Sequence, residues 1–237
     1  LFHKNFYHPG SSKIFFYGDD DPETRLKIIN EYLNEFDPLK IHSLPGLQPL
    51  FLSPKRKNIP YDSGEDIDNA KAYLTVNWLL PEGNVPELVL SLGIIDHILL
   101  GTPASPLRKA LIESGLGEDL VGRGLMDDMR QMAFSTGMRG INPGDVDKVE
   151  ALILSSLKNI VESGIDPKTI EASINTIEFS LRENNTGSYP RGLIVMLRTL
   201  STWLFDLDPI EPLKFQKHLN AIRRKISTEN FRFEDLI

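Results

Sequence analysis

The stretch AKAYLTVNWLL, residues 70–80, has the clearest strand pattern in the chain and decides the fold class. β-Branched and aromatic residues dominate it, as in most strands. One of its faces is apolar throughout: Leu74, Val76, Trp78 and Leu80. The other face is mixed: Tyr73, Thr75, Asn77 and Leu79. A strand that packs one face on a core and leaves the other less buried is typical of antiparallel sheets.

Long amphipathic helices surround this strand in the sequence. Asp21-Pro22 and Asp166-Pro167 are typical helix starts, and Gly115 and Gly164 are typical helix ends. The helices are predicted after Asp21 and at about residues 86–100, 105–114, 145–163, 166–182, 190–204 and 212–226. Further strands are predicted at Ser12–Tyr17 and Gln131–Arg139. The pattern predicts an α+β fold, with an antiparallel-rich mixed sheet covered by helices.

Composition excludes several classes of function. The chain has 237 residues, a formal net charge of −7 and no cysteine. Disulfides, thiolate zinc sites and cysteine nucleophiles are therefore excluded, and the charge argues against nucleic-acid binding. No apolar run reaches the length of a membrane span, so we expect a soluble chain without a membrane partner. The opening Leu1-Phe2-His3-Lys4 lacks a signal-peptide pattern and favours an excised or processed segment of a longer protein.

The histidines do not form a metal motif. None of the five lies four residues from another, which is the spacing that places two imidazoles on one helical face. Gly93-Ile94-Ile95-Asp96-His97 has the layout of the inverted zinc-peptidase motif His-x-x-Glu-His, but Gly93 supplies no ligand and the side chain of Asp96 is shorter than that of Glu. We therefore predict no catalytic residue and no metal site in this chain, and interpret Gly93, Asp96 and His97 as a degenerate motif.

Two polar loops have more than one interpretation. Gly101–Arg108 is rich in small residues and precedes a helix, but it lacks the order of a phosphate-binding loop, which favours a capped turn at Ser105. The segment after the helix at 166–182 is either a helix end or a surface that faces ligand or another domain. The candidates for such a surface are Arg182, Glu183, Asn184, Asn185 and Ser188.

Several longer blocks resemble the pitrilysin (insulinase) type of zinc metallopeptidase. Phe6–Pro9 followed by Ile14–Asp21 resembles the entry to the second domain of these enzymes. Asn77–Leu80, Asp96–Lys109 and Asn175–Gly187 are similar to the presequence protease subgroup. These blocks are distributed over most of the chain, so the resemblance is specific.

The resemblance implies a second, catalytically inactive domain of a four-domain peptidase whose two halves close around unfolded peptides. It places residues 1–208 in the inactive metallopeptidase-like domain and residues 209–237 at the helical start of the connector between the halves. Zinc is expected in the first domain of the parent enzyme, with none in this chain. The third zinc ligand of that first domain is a glutamate on a later helix; Glu171 and Glu178 lie on a comparable helix here without a histidine pair.

The function implied by the resemblance is structural. The parent would be a zinc metalloendopeptidase that degrades targeting peptides and other short unstructured peptides, and this chain would scaffold its zinc domain and line its chamber while being inactive alone. Its partners would be the other domains of the same polypeptide and unfolded peptides. The alternative is a stand-alone peptide-binding or assembly module; an enzyme with an unrelated mechanism is a third reading. The compartment would be the mitochondrial matrix or plastid stroma in a eukaryote and the cytoplasm in a bacterium.

Overall fold

The computed structural model describes residues 2–39, 41, 44–62, 71–183, 187–228 and 231–237. The chain divides into two compact units. The smaller unit is formed by Leu1–Leu47 and Thr186–Leu213, and the larger unit by Gln48–Asn185 and Lys214–Ile237.

An antiparallel sheet forms one layer of the larger unit. Its three described strands are β1 (Ala72–Glu82), β2 (Asp119–Met126) and β3 (Gln131–Ile141), in the order β1-β3-β2. β3 is central and pairs antiparallel with both neighbours. Exposure alternates along the first six residues of β1, as the pattern of residues 70–80 predicted, so one face of the sheet is more buried than the other.

Helices cover the buried face of the sheet. α3 (Pro86–Leu100), α4 (Pro106–Glu113) and α5 (Val146–Ser163) contact the strands, and α6 (Pro167–Glu183) and α8 (Phe215–Thr228) pack against α3. α3 is the most apolar of them and buries Ile94, Ile95, Ile98 and Leu99 in the core. Leu107 and Leu111 of α4, Val149 and Ile153 of α5 and Leu219 of α8 join the same cluster. The predicted α+β class is confirmed.

The smaller unit contains α1 (Phe2–Phe6), α2 (Pro22–Leu33) and α7 (Arg191–Trp203). Asp21 caps α2 as predicted: its carboxylate accepts hydrogen bonds from the backbone N–H groups of Glu23 at 3.2 Å and Thr24 at 3.1 Å. The strand prediction at Ser12–Tyr17 is wrong, because these residues lie outside every described strand. Ile14 and Phe16 are each 42% exposed, so this apolar run has no buried face to hold it against a sheet.

The C-terminal segment belongs to the larger unit. Leu219 and Ile222 of α8 are buried in the core, and a 3-10 turn at Phe233–Leu236 follows. Glu234 ties this turn to the α5–α6 linker, because its carboxylate accepts a hydrogen bond from the backbone N–H of Ile165 at 2.6 Å. Residues 214–237 thus contribute core side chains, and their assignment to an interdomain connector stays a prediction.

Candidate functional site

Asp96, the acidic residue of the degenerate motif, faces β2. Its Oδ1 accepts a hydrogen bond from the backbone N–H of Leu125 at 3.1 Å. Gly124 makes this approach feasible, since a Cβ there would lie 2.3 Å from Asp96 Oδ1 and its φ of +64° is one that L side chains rarely adopt. Burial raises the pKa of Asp96, and the hydrogen bond from Leu125 partly opposes that rise. Asp96 therefore fastens α3 to the sheet.

We expect Asp96→Ala to lower the free energy of unfolding by about 1–2 kcal/mol, because the Leu125 N–H loses its acceptor. Asp96→Asn retains an acceptor oxygen and removes a partly buried charge, so it should be neutral or slightly stabilising at pH 7. A carboxyl with a raised folded pKa favours the native state at low pH and loses that contribution as pH rises through the folded pKa. Urea unfolding at a series of pH values around the folded pKa of Asp96 should show the stability of the parent chain falling as the pH rises. The stability of Asp96→Asn should lack this fall. Equal stabilities of the Ala and Asn variants would contradict the assigned hydrogen bond.

His97 lines a cleft of about 670 Å³ in the larger unit. Its Nδ1 is buried and has no hydrogen-bond partner among the described residues. The cleft is bounded by the end of α3, the Thr102–Pro106 turn, the end of α5 with its linker, and the first half of α6. Asp96 and His97 are adjacent in sequence, yet the first binds β2 and the second lines the cleft.

The Thr102–Pro106 turn is closed on itself. Ser105 Oγ accepts a hydrogen bond from the backbone N–H of Thr102 at 3.0 Å and donates to the carbonyl oxygen of His97 at 3.2 Å. Ser105 precedes α4, but its side chain makes no hydrogen bond to that helix. The interpretation as a turn is supported, although the hydroxyl of Ser105 closes the turn behind it rather than capping α4.

Facing His97 across the cleft, α6 presents Ala172, Ser173 and Thr176. Its two noted glutamates lie elsewhere: Glu171 lines a separate pocket with Arg223, and Glu178 is buried in an ion-pair network. Among the described residues of the cleft lining, Asp166 alone carries a carboxylate, and its Oδ1 accepts the backbone N–H of Lys168 at 3.1 Å. Among the described residues, no group of three or more His, Cys, Asp or Glu side chains could hold a metal ion.

Arg182, one of the predicted surface candidates, belongs to the network around Glu178. Glu178 is 8% exposed and pairs with Arg182 and with Arg223 of α8, each at 2.5 Å. Arg182 also donates to Gln216 Oε1 at 3.0 Å. Hydrogen bonding from Arg223 is the main reason that the pKa of Glu178 lies below its usual value, and both guanidinium charges add to the effect. These contacts join α6 to α8.

Replacing Glu178 by Gln should lower the free energy of unfolding by about 1–2 kcal/mol at pH 7. The value is modest because the side chains of Arg182 and Arg223 remain 60% and 39% exposed. A depressed folded pKa gives stability above the unfolded value, about 4.3, and that stability is lost as pH falls through the folded pKa. The difference in unfolding free energy between the parent chain and Glu178→Gln should therefore disappear at acidic pH. Glu183→Gln, exposed at the end of α6, is the matched control; a pH-independent gap would contradict the ion pairing.

The remaining surface candidates are not brought together with Arg182 by any described contact. Glu183 is the last residue of α6 and is exposed, and Ser188 is exposed in the smaller unit. Asn184 and Asn185 lie outside the described residues. Their contact with peptide or with another domain stays a prediction. Within the described part of the chain, no helix is long and apolar enough to cross a membrane.

Comparison with known proteins identifies the family to which the chain belongs. Residues 1–177 match the family model described as the Peptidase M16 inactive domain. Over 232 residues the chain is 50% identical to presequence protease 1, chloroplastic/mitochondrial, of Arabidopsis thaliana, covering 96% of this chain and 22% of that protein. It is 30% identical to the mitochondrial presequence protease of Xenopus laevis, covering 98% of this chain and 23% of that protein. The chain thus spans between a fifth and a quarter of these relatives.

Solved structures agree on the fold. The inactive peptidase domain of a candidate zinc protease from Bordetella parapertussis matches with a TM-score of 0.52 and 17% identity, covering 64% of this chain and 79% of that one. The periplasmic protease PqqL of Escherichia coli matches with a TM-score of 0.56 and 14% identity, covering 86% of this chain and 22% of that one. The glycine at position 93 and these matches have one explanation. The chain belongs to the Peptidase M16 inactive-domain family, in the form found in presequence proteases, which lacks the catalytic zinc site.

Proposed function

We propose that this domain scaffolds the zinc-bearing domain of a presequence-protease-like metalloendopeptidase and contributes wall to the chamber in which targeting peptides and other short unstructured peptides are degraded. The observation that carries the proposal is a helix-on-sheet domain that keeps the layout of the zinc helix while Gly93 stands at the position of a possible ligand on the helix that carries His97. Such a domain has the form of a peptidase domain and none of its metal chemistry.

The partners under this proposal are the other domains of the same polypeptide and unfolded peptides, without nucleic acid or membrane. Residues 209–237 would both complete this domain and lead towards the second half of the parent. The names of the relatives include chloroplast and mitochondrion, which supports the plastid stroma or mitochondrial matrix for a eukaryotic parent.

Co-expression with a zinc domain tests the proposal. The zinc domain of a presequence protease, expressed without its own second domain, should gain solubility and peptide-cleaving activity when this chain is co-expressed, provided the second half of the parent is also supplied. A matched co-expression with an unrelated domain of similar size controls for crowding. No complex and no gain in cleavage would overturn the scaffold role.

The alternative, a stand-alone peptide-binding or assembly module, is favoured by the open cleft at His97, which exists within this chain alone. The reading frame upstream of the chain separates the two functions. A His-x-x-Glu-His motif there supports the peptidase parent, and its absence supports the module.

A further inference from the structure

We propose that the cleft at His97 binds a short unstructured peptide segment with uncharged side chains and holds it without hydrolysis. The inference rests on the proposed function and gives the domain a direct role with substrate. It adds a defined binding site, between α3 and α6, to the general role of a chamber wall.

The cleft has the size of a ligand site. Its volume of about 670 Å³ lies within the range of roughly 300–1,000 Å³ typical of small-ligand pockets. Ile98, Ile160 and Ile165 supply apolar lining, and each of them is largely buried or packed against the hydrophobic core. The walls are therefore anchored by packing, which gives a pre-formed site that need not be ordered at the moment of binding.

Polar groups in the cleft are left available to a ligand. Ser173 is 4% exposed, and its hydroxyl has no hydrogen-bond partner within the part of the chain that the structure describes. The buried Nδ1 of His97 is also without one there, and the exposed Asn159 adds an amide at the rim of the cleft. Buried polar groups are normally paired, so the Nδ1 of His97 calls for a hydrogen-bond partner, which the N–H and C=O groups of an extended peptide backbone can supply.

The charges that line the cleft determine which side-chain charges a bound peptide can carry. Among the described residues of the lining, Lys168 and Asp166 carry formal charges, and these charges cancel. The first turn of α6 is already capped, since Asp166 accepts the N–H of Lys168 through its carboxylate and the N–H of Thr169, at 2.8 Å, through its carbonyl. An anion would therefore find no free helix N-terminus, and the exposed Asp166 and Lys168 together present no net charge to a cation or an anion. Uncharged segments fit the site better than acidic or basic ones.

Fluorescence anisotropy with three labelled peptides tests the proposal on the whole chain. The probes are a neutral peptide of Ser, Thr, Ala and Gly, a version with alternate Lys, and a version with alternate Glu, all titrated at physiological salt. Ala172→Trp and Ala104→Trp fill the cleft from opposite walls at exposed positions. Ala151→Trp, exposed on α5 and outside the lining, is the matched control. Thermal unfolding verifies that each variant folds.

The neutral peptide should bind best, and each cleft variant should weaken it by at least about tenfold while Ala151→Trp leaves affinity unchanged. Lack of binding, binding that the cleft variants do not change, or preference for a charged probe would each overturn the proposal. Failure of peptide binding in the cleft can be distinguished from failure of the proposed scaffold role. A chain that assembles with the zinc domain and restores cleavage, but binds no neutral peptide, refutes only the cleft.

Discussion

Phe233→Ala should lower the free energy of unfolding by about 3–5 kcal/mol, a large share of the stability of an ordinary domain. Phe233 is 1% exposed and belongs to the same buried cluster as the apolar residues of α3. Its ring packs edge-on against Phe231 with 5.1 Å between centroids. Truncation to alanine removes both the buried apolar surface and the filling of the core, so the loss includes a cavity term.

The measurement is urea unfolding followed by far-UV circular dichroism. Phe179→Ala is the matched control, because Phe179 lies on α6 with 66% of its surface exposed and should change stability by less than about 0.5 kcal/mol. Equal losses in the two variants would show that the C-terminal turn is not docked in the core.

The stability of Phe233→Ala also tests where the domain ends, at about residue 208 or at the C-terminal turn. If residues 209–237 only linked two domains, changes at Phe233 would leave the stability of the domain intact. The structure places residues 214–237 within the larger unit, and we expect a chain shortened to residue 208 to fail to fold. A short C-terminal truncation that retains cooperative unfolding would argue for a free connector.

Gly137→Ala should destabilise the chain by about 3 kcal/mol or more, or prevent folding, although it adds a single methyl group. Gly137 lies in the central strand β3, opposite Thr75 of β1 and Val121 of β2. A Cβ at this position would stand 1.8 Å from the carbonyl oxygen of Leu74, so the backbones of two paired strands would have to separate. Loss of ladder hydrogen bonds would follow.

Gly93→Ala is also a glycine-to-alanine change, but we expect it to stabilise the chain, unlike Gly137→Ala. Gly93 lies within α3, and a Cβ there meets nothing within 4 Å. Alanine should raise the free energy of unfolding by about 0.5–1 kcal/mol through the lower entropy of the unfolded chain and its better helix propensity. Thermal unfolding of the two variants should therefore shift in opposite directions, and parallel shifts would contradict the assigned packing of β3.

Helical periodicity carried most of the fold prediction. Pro at the first position marks the starts of α3, α4 and α6, and Gly115 and Gly164 mark the ends of α4 and α5. These signals are local, so one sequence suffices to read them. The alternation in residues 70–80 likewise identified β1, because its two faces meet different environments.

β2 was not predicted, for a physical reason. Gly122 and Gly124 interrupt its apolar pattern with φ values of +99° and +64°, and the pairing with β3 shifts register between Val121 and Gly124. The strand exists because β3 supplies its partner, and Gly124 is needed for the contact with Asp96. Such requirements come from distant residues, which local propensity does not contain.

The predicted site residues stay a prediction, and the sequence accounts for some features of the cleft. The missing ligand at Gly93 and the single imidazole of His97 could be read from spacing alone. Ser173 could not, because no local signal in α6 distinguishes it from Glu171 or Glu178; only the packing of α6 against α3 places it opposite His97. The sequence predicted Arg182 as a surface candidate because it belongs to a polar helix end. Its role in the ion-pair network with Glu178 depends on α8, which is far away in sequence.

Zinc content and peptide cleavage, measured together on the purified chain, test the central claim most directly. The chain is washed with chelator, reloaded with zinc, analysed for bound metal and assayed with a fluorogenic peptide. We predict no stoichiometric zinc and no chelator-sensitive cleavage, since His97 has no partner ligands in the described structure. One zinc per chain together with cleavage that a chelator abolishes would contradict an inactive domain.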